Sequence, residues 1–351
     1  MDVVQLLTEA VEKRASDVFI IAGMPVTYKI SENFVSGGEQ ILSLCDTAEF
    51  VNQIYKMAGD RKVNRALDSG DDDFSFAIPG LSRFRVNVYK QRGSLAAVIR
   101  IIRFELPNPE EIGIPPTVMS LAERKKGLVL VTGTAGSGKS TTLACLVDRI
   151  NNTRAEHIVT LEDPLEYLHR HKLSIISQRE VMTDTESYVK ALRASLRQAP
   201  DVVLLGEMRD HETISVAMTA AETGHLVFST LHTVGAANTI DRVIDAFAAN
   251  QQNQIRVQLS MVLQAVVSQQ LVPTVDQKTA PAFEIMIVNN AVRNMIREAK
   301  IHQIDSVIHS SAAEGMMTMD ASLINLYKKG VISDKTAIAY SANQELMAKK
   351  L

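Results

Sequence analysis

The sequence predicts a smaller α+β domain followed by a larger α/β domain whose strands run parallel. Three observations carry that expectation. The chain has 351 residues, more than one core usually organises, so two domains are the prior. Strands in the first hundred residues alternate apolar with polar positions, as a sheet with one wet face requires. Beyond a proline-rich interval the rhythm changes to short, wholly apolar strands separated by helical stretches, which is the pattern of a parallel sheet covered by helices.

The elements follow in order. Val3, Val4, Leu6, Leu7, Ala10 and Val11 recur at helical spacing and predict an amphipathic first helix. Asp17–Ile21 and Val26–Ile30 read as short strands around Gly23-Met24-Pro25, and Thr47–Ala58 as a helix. Phe74, Phe76 and Ile78, then Phe84, Val86 and Val88, mark half-buried strands, with Leu95–Ile102 another. Leu106-Pro107-Asn108-Pro109 and Pro115-Pro116 bracket a linker, because proline interrupts helix and ladder alike. The expected division is therefore 1–107 for the first domain, 108–118 for the linker and 119–351 for the second domain. Leu128–Thr132, Ile158–Leu161, Val202–Leu205 and Leu226–Ser229 are the apolar strands of that second domain. From about Gln251 onward the chain reads as mostly helical.

Composition narrows the classes. Hydrophobic residues make up 46% and charged residues 22%, a globular balance, and the net charge is −3. A nucleic-acid-binding chain is expected to carry a basic excess, so no direct nucleic-acid partner is expected. Two distant cysteines, Cys45 and Cys145, rule out a four-cysteine zinc site within the chain and argue against a disulfide framework. The start Met1-Asp2-Val3-Val4 has no basic region followed by an apolar one, so no signal peptide is expected. No run approaches the ~20 apolar residues of a membrane helix. A soluble protein of a reducing compartment is expected.

Gly133-Thr134-Ala135-Gly136-Ser137-Gly138-Lys139-Ser140 fits the phosphate-loop pattern G-x-x-x-x-G-K-[ST], behind a buried strand and ahead of a helix at Thr141–Ile150. Such a loop turns backbone N–H groups inward around phosphates, and the helix N-terminus adds positive potential. Lys139 is expected to reach the β- and γ-phosphates of ATP and the Ser140 hydroxyl to ligate Mg²⁺. A chance match in a chain this long is on the order of one in a hundred, so a glycine-rich turn that binds nothing is the poorer reading.

An NTPase also needs carboxylates near the γ-phosphate to hold the metal and orient the attacking water. Glu162, Asp163 and Glu166 follow one apolar strand, and Glu207 and Asp210 follow another. Strand C-termini line the ligand crevice of a parallel sheet, so both clusters are expected beside the loop. Any one such acid is as often a solvated loop residue or a helix cap. Two clusters behind buried strands shift the balance towards function. His225 and His232 flank the fourth apolar strand; either alone is more often structural than catalytic.

These residues together resemble the secretion ATPase superfamily, and within it the PilT-type retraction ATPases of type IV pili. Its four boxes are matched in order by Gly133–Thr141 (Walker A), Thr160–Tyr167 (Asp box), Val202–Asp210 (Walker B, with Gly206-Glu207) and Thr223–Thr233 (His box). The resemblance implies a RecA-like P-loop NTPase domain preceded by a PAS-like domain. It makes Glu207 the general base, lets Glu162, Asp163 and Glu166 assist metal and water, and sets His232 near the γ-phosphate with His225 in support. Arg85 and Arg100 match positions that supply arginine fingers, with Arg83 in reserve. Ala291-Val292-Arg293-Asn294-Met295-Ile296-Arg297-Glu298 is similar to the signature helix of the retraction branch, and its arginines are expected on an exposed face. A homo-hexamer acting on an inner-membrane pilus platform protein is implied, which places the chain in the cytoplasm against the inner face of the membrane through its partners.

Three departures stand out. Thr134-Ala135 replaces the usual Pro-Thr, Val292 and Met295 replace Ile and Leu, and Tyr28–Asn33 lacks the usual Arg-x-Asp/Asn-Gly turn. Pilus-assembly and type II secretion ATPases are the nearest rivals; they carry a longer N-terminus and a tetracysteine loop. A non-hydrolysing nucleotide-binding subunit is the rival of another class, and the presence of both Lys139 and Glu207 argues against it.

Overall fold

The computed structural model describes residues 2–30, 33–59, 64–102 and 104–351. Residues 31 and 32 of the departing Tyr28–Asn33 segment lie outside the described residues. The chain divides into two units, one reaching to Glu105 and including Glu166–Leu168, the other holding Leu106–Leu165 and His169–Leu351.

Six strands among the described residues build the first unit: β1 (Asp17–Ile20), β2 (Thr27–Ile30), β3 (Asn33–Ser36), β4 (Asp71–Ile78), β5 (Ser82–Gln91) and β6 (Ser94–Ile102). All pairings are antiparallel, in the order β3-β2-β1-β6-β5-β4. Helices α1 (Val3–Glu12), α2 (Leu44–Met57) and α3 (Asn64–Ser69) accompany them. Alternation along β5 sends Phe84, Val86 and Val88 into a core with Leu6 and Leu7 of α1 and Ile54 of α2. Arg83 and Arg85, at the alternate positions, therefore point to the opposite face. A capping box starts α2: Ser43 Oγ accepts from Asp46 N, and Asp46 Oδ2 accepts from Ser43 N.

In the second unit seven strands among the described residues lie in the order β13-β12-β7-β11-β10-β8-β9. They are β7 (Gly127–Thr132), β8 (His157–Glu162), β9 (Ile175–Glu180), β10 (Val202–Leu205), β11 (Leu226–Leu231), β12 (Leu263–Pro273) and β13 (Thr279–Ile287). Every pairing is parallel except β12 with β13. One face packs against α4 (Pro116–Met119) and α5 (Lys139–Thr153). The other packs against α6 (Tyr188–Ser195), α7 (His211–Glu222), α8 (Ala236–Asp245), α9 (Ala249–Val262), α10 (Asn290–Arg297) and α11 (Ile304–Ser310). Helices α12 (Met319–Lys328), α13 (Asp334–Tyr340) and α14 (Gln344–Lys350) close a smaller cluster with Val272 and Ala282. Among the described residues no helix is long and apolar enough to cross a membrane.

Three features differ from the sequence reading. Ile114 and Val118, read as linker, are buried in the second unit's core. The segment after Gln251 is mostly helical as expected, but it also holds β12 and β13, which the sequence reading missed. Short apolar runs such as Ala265–Val267 suit a buried helix or a strand equally; the free edge of β7 decides for strand. Finally, Arg293 of α10 is half-buried, and its Nη1 donates to the Ser260 and Met261 carbonyls at 2.9 and 3.0 Å, capping the end of α9. Burial of Val292 and Ile296 contributes roughly 3–6 kcal/mol, so packing, not propensity, holds this eight-residue helix.

Candidate active site

Parallel strands deliver their C-terminal ends to one edge, and the loops that leave β7, β8, β10 and β11 meet there. The β7–α5 loop has the shape a phosphate requires. Gly133 has φ 141° and Gly138 has φ 88°, conformations that cost an L side chain energy. A methyl group on Gly133 would lie 2.2 Å from the Gln269 carbonyl oxygen, and one on Gly138 would lie 2.7 Å from Gln269 Nε2. The glycines therefore let this loop nest against β12. Thr134, Ala135 and Gly136 form its exposed crest, while Ser137 is buried. Lys139 is also buried, and its Nζ donates to the Gly133 and Thr134 carbonyls, each at 2.8 Å. That ammonium is aimed along the loop where phosphate oxygens can replace the carbonyls. Ser140 and Thr141 lie in the first turn of α5, where backbone N–H groups have no helical partner.

Glu207 lies two residues beyond the end of β10, after Gly206, and is 8% exposed. Its Oε2 lies 3.2 Å from His232 Nε2 at the end of β11, and its Oε1 lies 2.5 Å from Arg209 Nη2. The two strands are held in register here by Met208 N donating to the Thr230 carbonyl and Thr230 Oγ1 donating to the Gly206 carbonyl. Gly206 N in turn donates to the Leu161 carbonyl, which ties the Walker B loop to the Asp box. Tyr188 reports how acidic the place is. Burial first, then the carboxylates of Asp163, Glu207 and Glu162, push its phenol well above its usual range. These three acids and His232 are thus brought to one edge. Among the described residues no three His, Cys, Asp or Glu side chains form a ready metal cage. The donor set suits Mg²⁺, which binds through one or two protein oxygens and the nucleotide's own phosphates.

Other expected residues fall elsewhere. Asp210 caps α7, accepting from Thr213 N at 2.8 Å. His225 stands at the start of β11, six residues before the end that carries His232, and its Nδ1 pairs with the Ala220 carbonyl at 2.9 Å; about 20 Å of strand separates the two histidines. Within the chain His225 is a helix-end partner, away from Glu207. Glu166 is exposed and groups with the first unit. In that unit Arg85 and Arg100 are direct cross-strand neighbours. Arg85 forks onto Asp73 at 2.6 and 3.2 Å, and Arg100 Nε donates to Asp17 at 2.9 Å.

Arg209, Tyr188 and Gln269 received no role from sequence. Arg209 stood in the Walker B box and could have been found by its two-residue spacing from Glu207. Gln269 carried no signal, being one of three successive polar residues, Ser268-Gln269-Gln270, in β12, and Tyr188 carried none because a separate helix, α6, brings it in.

Comparison with known proteins agrees with this geometry. The family described as type II/IV secretion system protein matches residues 1–346. A type IV pilus retraction ATPase, PilT, of Pseudomonas aeruginosa is 43% identical over 339 residues, covering 96% of this chain and 97% of that protein. A twitching motility protein of Neisseria gonorrhoeae is 47% identical over 301 residues, covering 86% and 80%. The crystal structure of the pilus retraction motor PilT with bound ADP superposes with a TM-score of 0.89 at 42% identity, covering 99% and 98%. The chain belongs to the type II/IV secretion system protein family, and within it to the PilT type, with a RecA-like ATPase domain behind its N-terminal α+β domain.

Proposed function

We infer that this chain is an ATP-hydrolysing motor that powers retraction of type IV pili. The observation that carries the reading is the β7–α5 loop standing beside a buried Glu207 at one sheet edge, in a chain that matches a PilT retraction ATPase over almost its whole length.

The chemistry follows from the residues. Lys139 and the loop N–H groups hold the triphosphate of ATP and draw charge from the γ-phosphate. Mg²⁺, held by Ser140 with help from Glu162 and Asp163, would neutralise charge on the β- and γ-phosphates. Water attacks the γ-phosphorus, the bond from that phosphorus to the β–γ bridging oxygen breaks, and ADP leaves. Glu207 accepts the proton lost by the water. His232, 3.2 Å from Glu207 Oε2, helps hold that carboxylate in place. Arg85 and Arg100 act as arginine fingers, exchanging Asp73 and Asp17 for phosphate oxygens when domains close in a homo-hexamer. Force passes to an inner-membrane platform protein, with the motor on the cytoplasmic face.

The test pairs two measurements. Purified protein should release phosphate from ATP, and cells lacking the gene should carry more pili that do not retract. Cells with no pili would make it an assembly motor instead, and a folded protein without turnover would make it a regulatory subunit.

A further inference from the structure

We infer that Gln269 is a positioning residue for ATP hydrolysis, locking the phosphate loop to the turn that follows His232; this rests on the ATPase reading above. Gln269 is 3% exposed and lies on β12, outside the four boxes. Its carbonyl oxygen fills the space at Gly133 and its Nε2 the space at Gly138, so one residue backs both ends of the loop. Its Oε1 accepts from Thr142 Oγ1 at 2.8 Å, in the first turn of α5, and Thr142 is fully buried. The neighbouring Ser268 points to the other face of the sheet, as strand alternation requires. There its Oγ accepts from Gly235 N at 2.9 Å. Glu284, paired with Ser268 across β13, accepts from Ala236 N at 2.8 Å. Two successive residues of one strand thus grip the phosphate loop on one face and the turn after His232 on the other.

Those two loops carry Lys139 and His232, and His232 touches Glu207. A strand clamped to both keeps phosphate and base in one frame. Ground-state binding through several loop N–H groups tolerates a small shift of the loop, whereas in-line attack does not: about 1 Å of misplacement can cost on the order of 100-fold in rate. The amide therefore acts on kcat more than on nucleotide affinity.

The experiment uses the full chain and compares Gln269→Leu, Thr142→Val, Thr142→Ser and the double variant Gln269→Leu/Thr142→Val. Phosphate release, equilibrium ADP affinity and Tm are read for each. Gln269→Leu should lose at least tenfold in kcat while ADP affinity changes less than fivefold. Thr142→Val should fall in the same direction, Thr142→Ser should recover most of that loss by restoring the donor, and the double variant should be no slower than the slower single. A folded Gln269→Leu with kcat within threefold of the parent would overturn the inference, as would additive losses that follow Tm alone. If Gln269→Leu does not fold, equal turnover of Thr142→Val and Thr142→Ser overturns it. A parent that releases no phosphate sinks the ATPase reading and this inference with it, whereas an active parent beside an unaffected Gln269→Leu sinks only the inference.

Discussion

Replacing Glu207 by Gln isolates the chemistry from the fold. The amide keeps the side chain's shape, and an amide can still meet His232 Nε2, now 3.2 Å from Oε2. What it loses is the proton acceptor. A positioned general base contributes about 10²–10⁴-fold, so turnover should fall by that factor, roughly 3–5 kcal/mol on the barrier. The stability cost is far smaller. Arg209 is 72% exposed in its pair with Glu207, so solvent screens the attraction, and its loss should cost about 0–1 kcal/mol. For a domain of this size that lowers Tm by about 4 °C at most. Phosphate release at saturating ATP, binding of a fluorescent nucleotide and a thermal melt on one preparation separate the effects. Kept binding, a near-parental Tm and a 100-fold or greater loss of turnover are expected. Turnover within tenfold of the parent would refute the assignment of Glu207 as base.

Other expectations follow from the same geometry. Gly133→Ala should abolish nucleotide binding and cost about 3 kcal/mol or more, because left-handed strain of about 1–2 kcal/mol adds to a backbone contact at 2.2 Å; a melt unchanged from the parent would count against the nested loop. Arg85→Ala and Arg100→Ala should each keep ATP binding yet slow turnover of the assembled protein at least 100-fold, and parental rates would refute their assignment as fingers. Arg293→Ala should cost about 1–2 kcal/mol through the lost cap on α9, whereas the exposed Arg297→Ala should cost less than about 0.5 kcal/mol. Arg297→Ala is therefore the cleaner test of whether α10 transmits movement, read as retained ATPase activity with lost retraction. Burial holds the His169 imidazole down at about 4, against 6.5 ordinarily. Because the unfolded chain takes up the proton first, stability is complete above pH 6.5 and falls as pH drops towards 4, by on the order of 3 kcal/mol. Melts between pH 7 and pH 4 should lose that slope in His169→Leu.

Local chemistry was legible wherever one stretch of chain carries it. The pattern Gly133–Ser140 needs only its own spacing, and the wholly apolar β7, β8, β10 and β11 needed only their hydrophobic runs to declare a buried parallel sheet. With strand direction set, the placement of Glu162, Asp163, Glu207 and His232 on one edge followed, because the C-terminal ends of parallel strands share that edge. Tertiary structure decided what depends on pairing between distant segments. Strands β12 and β13 were misread because an isolated apolar run has no period that separates helix from strand, and the vacant edge of β7 settled it. Arg293 looked exposed on a helical wheel, which cannot include the carbonyls of Ser260 and Met261 at the end of another helix. His225 looked like a partner of His232 because both border one strand, yet the strand's own length holds them at opposite ends. Gln269 stayed silent because its meaning lies in Gly133, Gly138 and Thr142, more than a hundred residues away. Period and spacing act through neighbours along the chain, so sequence alone determined the phosphate loop and the strands with a clear pattern; which distant side chains share a frame, and where β12 and β13 pair, was decided only by the packing that brings them together.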